Sequence, residues 1–486
     1  MKACADSFFA RTLTTRGLVA YGAVAVASFH IAYSLPETGI FMLVFLFCAA
    51  QLARAETPRR AFYPGLAIGL AAYGPQSTFF FNIFSFGAGA LWVVLAFWLG
   101  AFAALARLCL KRLGPLVAAI ALPMLWTGLE YFRSEIYYLR FSWLSAGGAF
   151  SASPVPLAAA GVYGVAFLLM ALVGALCVLP QKMALATASA ALAGLCLLSQ
   201  LPPPAPVAAA QIPSLRVAGL QMEVPMESDL IVGLDKLIAH YPETDLVLLS
   251  EYSFQSPPPE GILDWCRRNK KHMVAGGKEF VSETSFFNTA FVVGPEGTIV
   301  FRQAKSVPIQ FFKDGLPAAE QKVWDSPWGK LGICICYDLS YRRVVDRLIT
   351  LGAQGLLVPT MDELAWGRQE HIHHARVAPT RAAELGIPIF RIGSCGIPQL
   401  IDAGGRLQAT AFFPGEGAVT TGVMRLSAKG RLPVDHWVAP LSVGTTLTLG
   451  LGFCLRRPRK TASAAALPTA GSEVGLANQN HPTPSS

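Results

Sequence analysis

The chain has 486 residues, 53% of them hydrophobic and only 14% charged, with a formal net charge of +9. Soluble domains carry about 25% charged residues, so the composition argues against an ordinary cytosolic enzyme, and it excludes a disordered chain, a collagen and a small disulfide scaffold. Residues 1–206 hold 17 of the Asp, Glu, Lys and Arg residues and the rest of the chain holds 52, which implies two regions in different solvents.

In chain order, seven apolar segments come first, at about 17–35, 38–55, 62–81, 87–108, 114–131, 157–179 and 183–200. Each is close to the ~20 residues that a membrane-spanning helix requires. The basic start (Lys2, Arg11, Arg16) would suit a cleaved signal peptide, but further spans follow directly, so a retained anchor is expected. An eighth segment, 437–455, stands near the C-terminus. The expected organisation is therefore a transmembrane domain over 1–201, a linker over 202–212 opened by Pro202–Pro206, an extramembrane domain over 213–435, the eighth span over 436–456 and a disordered tail over 457–486.

Basic residues cluster before span 1, after span 2 (Arg54, Arg59, Arg60), after span 4 (Arg107, Lys111, Arg112), after span 6 (Lys182) and after span 8 (Arg456, Arg457, Arg459, Lys460). All of these fall on one side, which the positive-inside rule makes cytoplasmic. Both termini are then cytoplasmic and the extramembrane domain is periplasmic, outside a bacterial inner membrane. Most of the net charge is this topological signal, which removes the main support for nucleic-acid binding. One outer loop departs from the pattern: EYFRSEIYYLRFSW, from Glu130 to Trp143, mixes Glu130, Arg133, Glu135 and Arg140 with aromatic residues. It reads equally as an interfacial aromatic belt with paired charges and as a lid or headgroup contact at a lipid-facing site.

Beyond the linker, β-rich runs alternate with helical ones. SLRVAGLQ, DLVLLSEY, KHMVAGGKEF, TAFVVG, TIVFRQAK, KLGICIC, GLLVPT and IPIFRIGS are expected strands. ESDLIVGLDKLIAHY, GILDWCRRNKK, SYRRVVDRLITLGA and the stretch from Gln369 to Leu385 are expected helices, with turns at Gly294–Gly297 and Ala403–Gly405. The pattern predicts an α/β domain with helices packed on a mixed sheet.

Six of the ten cysteines (Cys4, Cys48, Cys109, Cys177, Cys196, Cys454) lie in or beside spans and read as packing residues. Cys334 and Cys336 form a CxC pair without the second pair or spaced histidine of a metal clip, and an i, i+2 spacing is poor for a relaxed disulfide. His371, His373 and His374 at helical spacing read as a surface or packing face, so no metal is expected. Cys336 is the sharper candidate. It ends an apolar strand and precedes a turn and a helix, a placement that exposes a nucleophile near amide donors. Attack also needs a base and a cation, and Glu251 and Lys305 each end a predicted strand. Taken singly, Glu251 could be a capping carboxylate, Lys305 a surface charge and Cys336 a buried thiol.

The order Glu, Lys, Cys and the stretch GICICYD (Gly332–Asp338) resemble the nitrilase, or carbon–nitrogen hydrolase, superfamily, and the likeness runs through IDAGGRL (Ile401–Leu407). LWTGLEYFR (Leu125–Arg133), FSWLSAG (Phe141–Gly147), GVYGVAFLL (Gly161–Leu169) and HARVAPTRAAELGIPIFR (His374–Arg391) are similar to segments of that superfamily's membrane-bound branch, the apolipoprotein N-acyltransferase family. The resemblance implies eight spans, an αββα sandwich as the catalytic domain, and a triad of Glu251, Lys305 and Cys336. It implies no cofactor, a phospholipid acyl donor, a thioester on Cys336, and a diacylated apolipoprotein as acceptor. It further implies that Tyr337 and Trp366 support the site or the oxyanion. A monomer in contact with membrane lipids is expected.

The chain departs from the family pattern at several places. Leu249-Ser250-Glu251 replaces Trp-Pro-Glu, and SVPIQFF (Ser306–Phe312) replaces a segment like LVPFGE whose Glu supports the site. Gln310 and Phe311 stand there instead, and Glu279 is the expected substitute. PTMDELAWG (Pro359–Gly367) has Met361 in place of Asn, and Pro379 is expected to cost a helix hydrogen bond. Two other enzyme readings remain open: a membrane-tethered nitrilase-type amidase or hydrolase, and an acyltransferase with a different acceptor. A transporter or scaffold is disfavoured because charged residues are essentially missing from mid-span.

Overall fold

The structure is a computed structural model and describes residues 7–201, 213–415 and 417–455. The expected linker at 202–212, the tail at 457–486, Lys2 and the basic cluster at Arg456–Lys460 lie outside the described residues. The first part is helical: α1 (Thr15–Ser34), α2 (Phe41–Gln51), α3 (Pro58–Gln76), α4 (Phe79–Phe84), α5 (Gly87–Leu113), α6 (Pro115–Tyr131), α7 (Pro154–Ala160), α8 (Val162–Val178) and α9 (Gln181–Gln200). The second part begins β1 (Ser214–Gln221), α10 (Glu227–His240), β2 (Leu246–Leu248), α11 (Glu260–Asn269), β3 (His272–Phe280), β4 (Phe286–Val293), β5 (Ile299–Ala304), β6 (Val323–Ser326) and β7 (Gly329–Ile333). It continues α12 (Arg342–Thr350), β8 (Gly355–Thr360), α13 (Arg368–Ala375), α14 (Val377–Leu385), β9 (Ile389–Gly393), β10 (Gln399–Ile401), β11 (Leu407–Thr410), β12 (Ala418–Arg425) and α15 (Asp435–Leu455).

Among the described residues, six helical stretches are long and apolar enough to cross a membrane, and a seventh qualifies if α7 and α8 count as one span. Two of the eight expected segments are not among these six. The third segment is α3, which begins with Arg59 and Arg60, contains Pro64 and Pro75, and is too weakly apolar to qualify by composition. The sixth is broken by a 97° bend between α7 and α8. The bend falls at Gly161, whose φ of +78° suits glycine. A Cβ there would overlap the Asp435 carboxylate at the start of α15.

Among the described residues the strands form two six-stranded sheets, with orders β12-β1-β2-β3-β4-β5 and β11-β10-β9-β8-β7-β6. Parallel pairs β1/β2, β2/β3, β7/β8 and β8/β9 form the centre of each sheet, and antiparallel strands flank them. Helices α10 and α11 cover one outer face through Leu230, Leu234, Leu237, Ile262 and Trp265. Helices α12 and α14 bury Val344, Val345, Leu348, Ala382 and Leu385 against the other sheet. The sheets meet where Gly219 leaves room for Ile392 and Phe390. The domain is an αββα sandwich.

The predicted strands are all present, and both predicted turns join antiparallel pairs, β4/β5 and β10/β11. The stretch Gln369–Leu385 is two helices rather than one, with a break at Arg376. Pro379 is consequently in the first turn of α14, where its missing N–H costs nothing. This corrects the expected penalty.

The two parts are joined by buried charge. Arg342, at the start of α12, pairs with Asp435 and with Asp346 at 3.1 Å, and lies 3.8 Å from Glu384. Its backbone N–H donates to both oxygens of Glu135 at 3.2 Å. Glu384 in turn accepts from Arg381 at 2.6 Å and from the backbone N–H of Val162 at 2.6 Å, so it holds the first turn of α8. Removing one member of such a cluster leaves uncompensated charge in low dielectric. Arg342→Met is therefore expected to cost about 3–5 kcal/mol, read as a lowered thermal unfolding midpoint in detergent; an unchanged midpoint would contradict the account.

Candidate active site

Three loop segments at strand ends meet between the sheets. Glu251 follows β2, Lys305 follows β5, and Cys336 stands three residues beyond β7; all three are buried. Lys305 Nζ donates to Glu251 Oε1 at 2.8 Å and to Asp314 Oδ2 at 2.7 Å. Asn288 Nδ2 donates to both carboxylates, at 2.6 Å to Glu251 and 2.9 Å to Asp314. The other Glu251 oxygen accepts the backbone N–H of Met361 at 2.9 Å, and Asp314 accepts from Tyr252 Oη and from the backbone N–H of Ile309, each at 2.8 Å.

The chain reaches this geometry through local strain and close approach. Cys336 and Tyr252 have φ of 52° and 54°, the left-handed region that side chains rarely adopt. At Cys336 this turn carries the backbone from β7 into a short 3₁₀ turn (Cys336–Ser340) and presents the thiol at a cavity. Strain of this kind persists only where surrounding structure over-determines it. Here Arg381 clamps the turn through the carbonyls of Leu339 at 3.1 Å and Ser340 at 2.7 Å. Asp338 accepts the backbone N–H groups of Ser306 and Val307, which ties the turn to the segment after Lys305. Gly276 on β3 admits the Glu251 backbone, since a Cβ there would lie 2.7 Å from Glu251 Cα.

Burial opposes the charge of Lys305, but Asp314 and Glu251 outweigh it and hold its pKa well above the usual range. Asp314 is pushed up by burial yet ends below the usual carboxylate range because of Lys305. The Cys336 thiol is pushed well up by burial and then by the charge of Glu251, against the pull of Lys305. Cys336 at rest is therefore a thiol, 3.6 Å from the carbonyl of Met361. Asp338 is pushed up to about 6, chiefly by burial.

The supporting carboxylate in the segment after Lys305 is Asp314. Glu279, the expected substitute, is on β3 and is engaged by Arg302 at 3.3 Å and Thr289 at 3.3 Å instead. Phe311, with φ of 70°, turns the chain so that Asp314, beyond the stretch Ser306–Phe312, comes back to Lys305. The Asp314-Gly315 pair was the available signal. Tyr337 and Trp366 both line the cavity that holds Cys336. Tyr337 packs edge-on against Tyr341 and Trp143.

That cavity, open to the outside, is walled by Phe79, Phe80 and Phe84 of α4, Leu91 and Leu95 of α5, and Phe311 and Phe312 of the second part. The loop Glu130–Trp143 supplies Arg140, Phe141 and Trp143. It also bonds across the two parts, from Trp143 Nε1 to Ser340 Oγ at 3.1 Å and from Gln310 Nε2 to the Tyr138 carbonyl at 3.1 Å. Glu130, Arg133 and Glu135 of the same stretch are buried. The loop is thus a wall of the site.

The histidines expected on a surface or packing face are buried. His373 bonds Gln76 at 3.1 Å, and His374 Nδ1 bonds Asp362 Oδ1 at 2.6 Å. Asp362, Glu370 and His374 bring potential metal ligands within 4.8 Å of one another. However, Asp362 also accepts from the Arg391 guanidinium at 2.5 Å, and a cation already inside the set disfavours a second. The group is a hydrogen-bonded network. Cys334 and Cys336 are not bridged.

A family model described as the apolipoprotein N-acyltransferase N-terminal domain matches residues 21–176, and one described as carbon–nitrogen hydrolase matches residues 226–415. An apolipoprotein N-acyltransferase of Geobacter metallireducens is 25% identical over 461 residues, covering 82% of this chain and 87% of the relative. Another, of a Nostoc species, is 26% identical over 285 residues, covering 52% of this chain and 56% of the relative. A solved carbon–nitrogen hydrolase from Helicobacter pylori aligns with a TM-score of 0.38 and 15% identity over 51% of this chain and 96% of its own.

The site's charges make one prediction independent of substrate. Iodoacetamide labelling of Cys336, followed by peptide mapping, should keep accelerating beyond about pH 9, because the thiolate forms late. Glu251→Gln should move the midpoint to lower pH, since it removes the second cause of the rise. A wild-type midpoint below about pH 7.5 would contradict the charge assignment.

Proposed function

The chain belongs to the apolipoprotein N-acyltransferase family, an acyltransferase branch of the carbon–nitrogen hydrolases, and from this premise we propose a phospholipid-dependent transfer through Cys336. The observation that carries the reading is the position of Cys336 in an apolar cavity walled on one side by α4 and α5 and on the other by the catalytic domain. A fatty acyl chain fits such walls, and each methylene removed from water contributes about 0.8 kcal/mol.

In the first step Glu251 takes the Cys336 proton as the sulfur attacks the ester carbonyl of the phospholipid. Moving that proton removes the negative charge that disfavours the thiolate, so activation coincides with attack. Lys305, held by two carboxylates, and the backbone N–H of Tyr337 steady the oxyanion. The C–O bond breaks, Glu251 returns the proton to the leaving lysophospholipid oxygen, and a thioester remains. In the second step the amine of a diacylglyceryl-modified N-terminal cysteine attacks the thioester, and Cys336 leaves. The apolar cavity disfavours water as the competing nucleophile. The reading places the catalytic domain on the periplasmic side of an inner membrane, with both termini cytoplasmic.

The test is turnover of labelled phospholipid by the full chain in detergent, with and without a diacylated lipopeptide. The expected result is one acyl enzyme per chain without acceptor, continued turnover to triacylated peptide with it, and neither in Cys336→Ser. Steady release of free fatty acid without acceptor would replace this reading with a hydrolase. Acyl enzyme that a peptide amine never discharges would point to a different acceptor.

A further inference from the structure

An α-amine has a pKa of about 7.7–8.0, so at neutral pH the acceptor arrives mostly as an ammonium ion. Its conversion to an amide frees two protons while Cys336 sulfur takes back one. Glu251 can carry one proton from nitrogen to sulfur. The other must leave before attack, because an ammonium nitrogen has no lone pair.

A carboxylate other than Glu251 lines the cavity. Glu370 on α13 is only 2% exposed, lines the same cavity as Cys336, and its Oε2 has no hydrogen-bond partner among the described residues. His371 Nε2 lies 3.8 Å from that oxygen but is bonded to the Glu363 carbonyl at 3.0 Å. The other oxygen, Oε1, lies 3.5 Å from His374 Nδ1, one turn along the helix. His374 also lines the cavity, stacks on Trp143 with ring centroids 4.9 Å apart, and is oriented by Asp362, whose second oxygen is held by Arg391. Asp362 directly follows Met361, whose carbonyl accepts from Cys336. A buried carboxylate with an unmet acceptor costs free energy unless something fills it.

We propose that Glu370, supported by His374, receives the first proton of the acceptor ammonium and so delivers a neutral amine to the Cys336 thioester. The N–H bond to that proton breaks and the proton passes to Glu370 Oε2. The freed lone pair forms the C–N bond and the C–S bond breaks. A second proton passes through Glu251 to the sulfur, and the third stays on the amide. Glu370 then releases its proton through the open cavity, so one proton is lost per turnover. The groups facing the pair from other elements are Asp362, Arg391, Arg140 and Cys336, with His371 on the same helix. Burial and then Asp362 push Glu370 up, while for His374 the pull of burial is outweighed by Asp362. Both therefore take up a proton more readily than exposed counterparts.

The inference rests on the acyl-transfer reading, and the experiment separates the two. Acyl enzyme is formed from labelled phospholipid, excess donor is removed, and single-turnover discharge is followed from about pH 6 to about pH 9 with two acceptors. One is a diacylated lipopeptide; the other is hydroxylamine, a weak base already neutral at pH 7. Glu370→Gln should discharge to the lipopeptide at least about tenfold more slowly than wild type near pH 6.5. The gap should close toward pH 9, discharge to hydroxylamine should stay within about twofold, and Glu370→Asp should recover most of the lost rate. The amount of acyl enzyme formed reports that the variant is folded. Equal losses with both acceptors, a loss that does not depend on pH, or no loss overturns the proton-acceptor role. Absence of acyl enzyme in the wild type overturns the acyl-transfer reading, and this role with it.

Discussion

Everything in the site is arranged about one buried cation. Lys305 is fully buried, and removing a lone ammonium from water would cost several kcal/mol after relaxation. Two carboxylates offset that cost, Glu251 at 2.8 Å and Asp314 at 2.7 Å. They come from different loops, so the ion cluster fixes the ends of β2 and β5 and the turn through Phe311 relative to one another. Burial first, and then the charge of Glu251 against the pull of Lys305, keep Cys336 a thiol at rest. Any attack by this thiol must then be coupled to proton transfer.

A second charge cluster does for the whole chain what Lys305 does for the site. Arg342, Asp435, Glu384 and Arg381 join the Cys336 turn to the first residues of α8 and α15. The aromatic wall of the cavity is shared between the two parts, so neither part alone would enclose it. Positioning the thiol and forming the cavity are therefore the same structural event. This is also why the stretch Glu130–Trp143 mixes buried charge with aromatic rings: it packs against both parts at once.

Much of this was legible in the chain. Strong strands with β-branched cores, the strand-to-turn placement of Cys336 and the strand-end positions of Glu251 and Lys305 follow from local pattern. The strands that escaped, Val323–Ser326, Gln399–Ile401, Leu407–Thr410 and Ala418–Arg425, are mostly short or poor in apolar residues, and the rest of a sheet holds them in place. Asp314 escaped because its position depends on the left-handed turn at Phe311, which residue type does not announce. Pro379 misled because a continuous helical period concealed a break at Arg376. The role of α13 was invisible for a similar reason: three histidines at helical spacing look like a packing face until Asp362 and Arg391 arrive from other elements.

The central claim is that Cys336 is where an acyl chain is held during transfer. The most direct measurement is peptide mapping by mass spectrometry of wild-type enzyme incubated with phospholipid in the absence of acceptor. The account predicts a single acyl group on the peptide containing Cys336, removed by neutral hydroxylamine as a thioester should be. An acyl group on any other residue, or one that neutral hydroxylamine leaves in place, would contradict it.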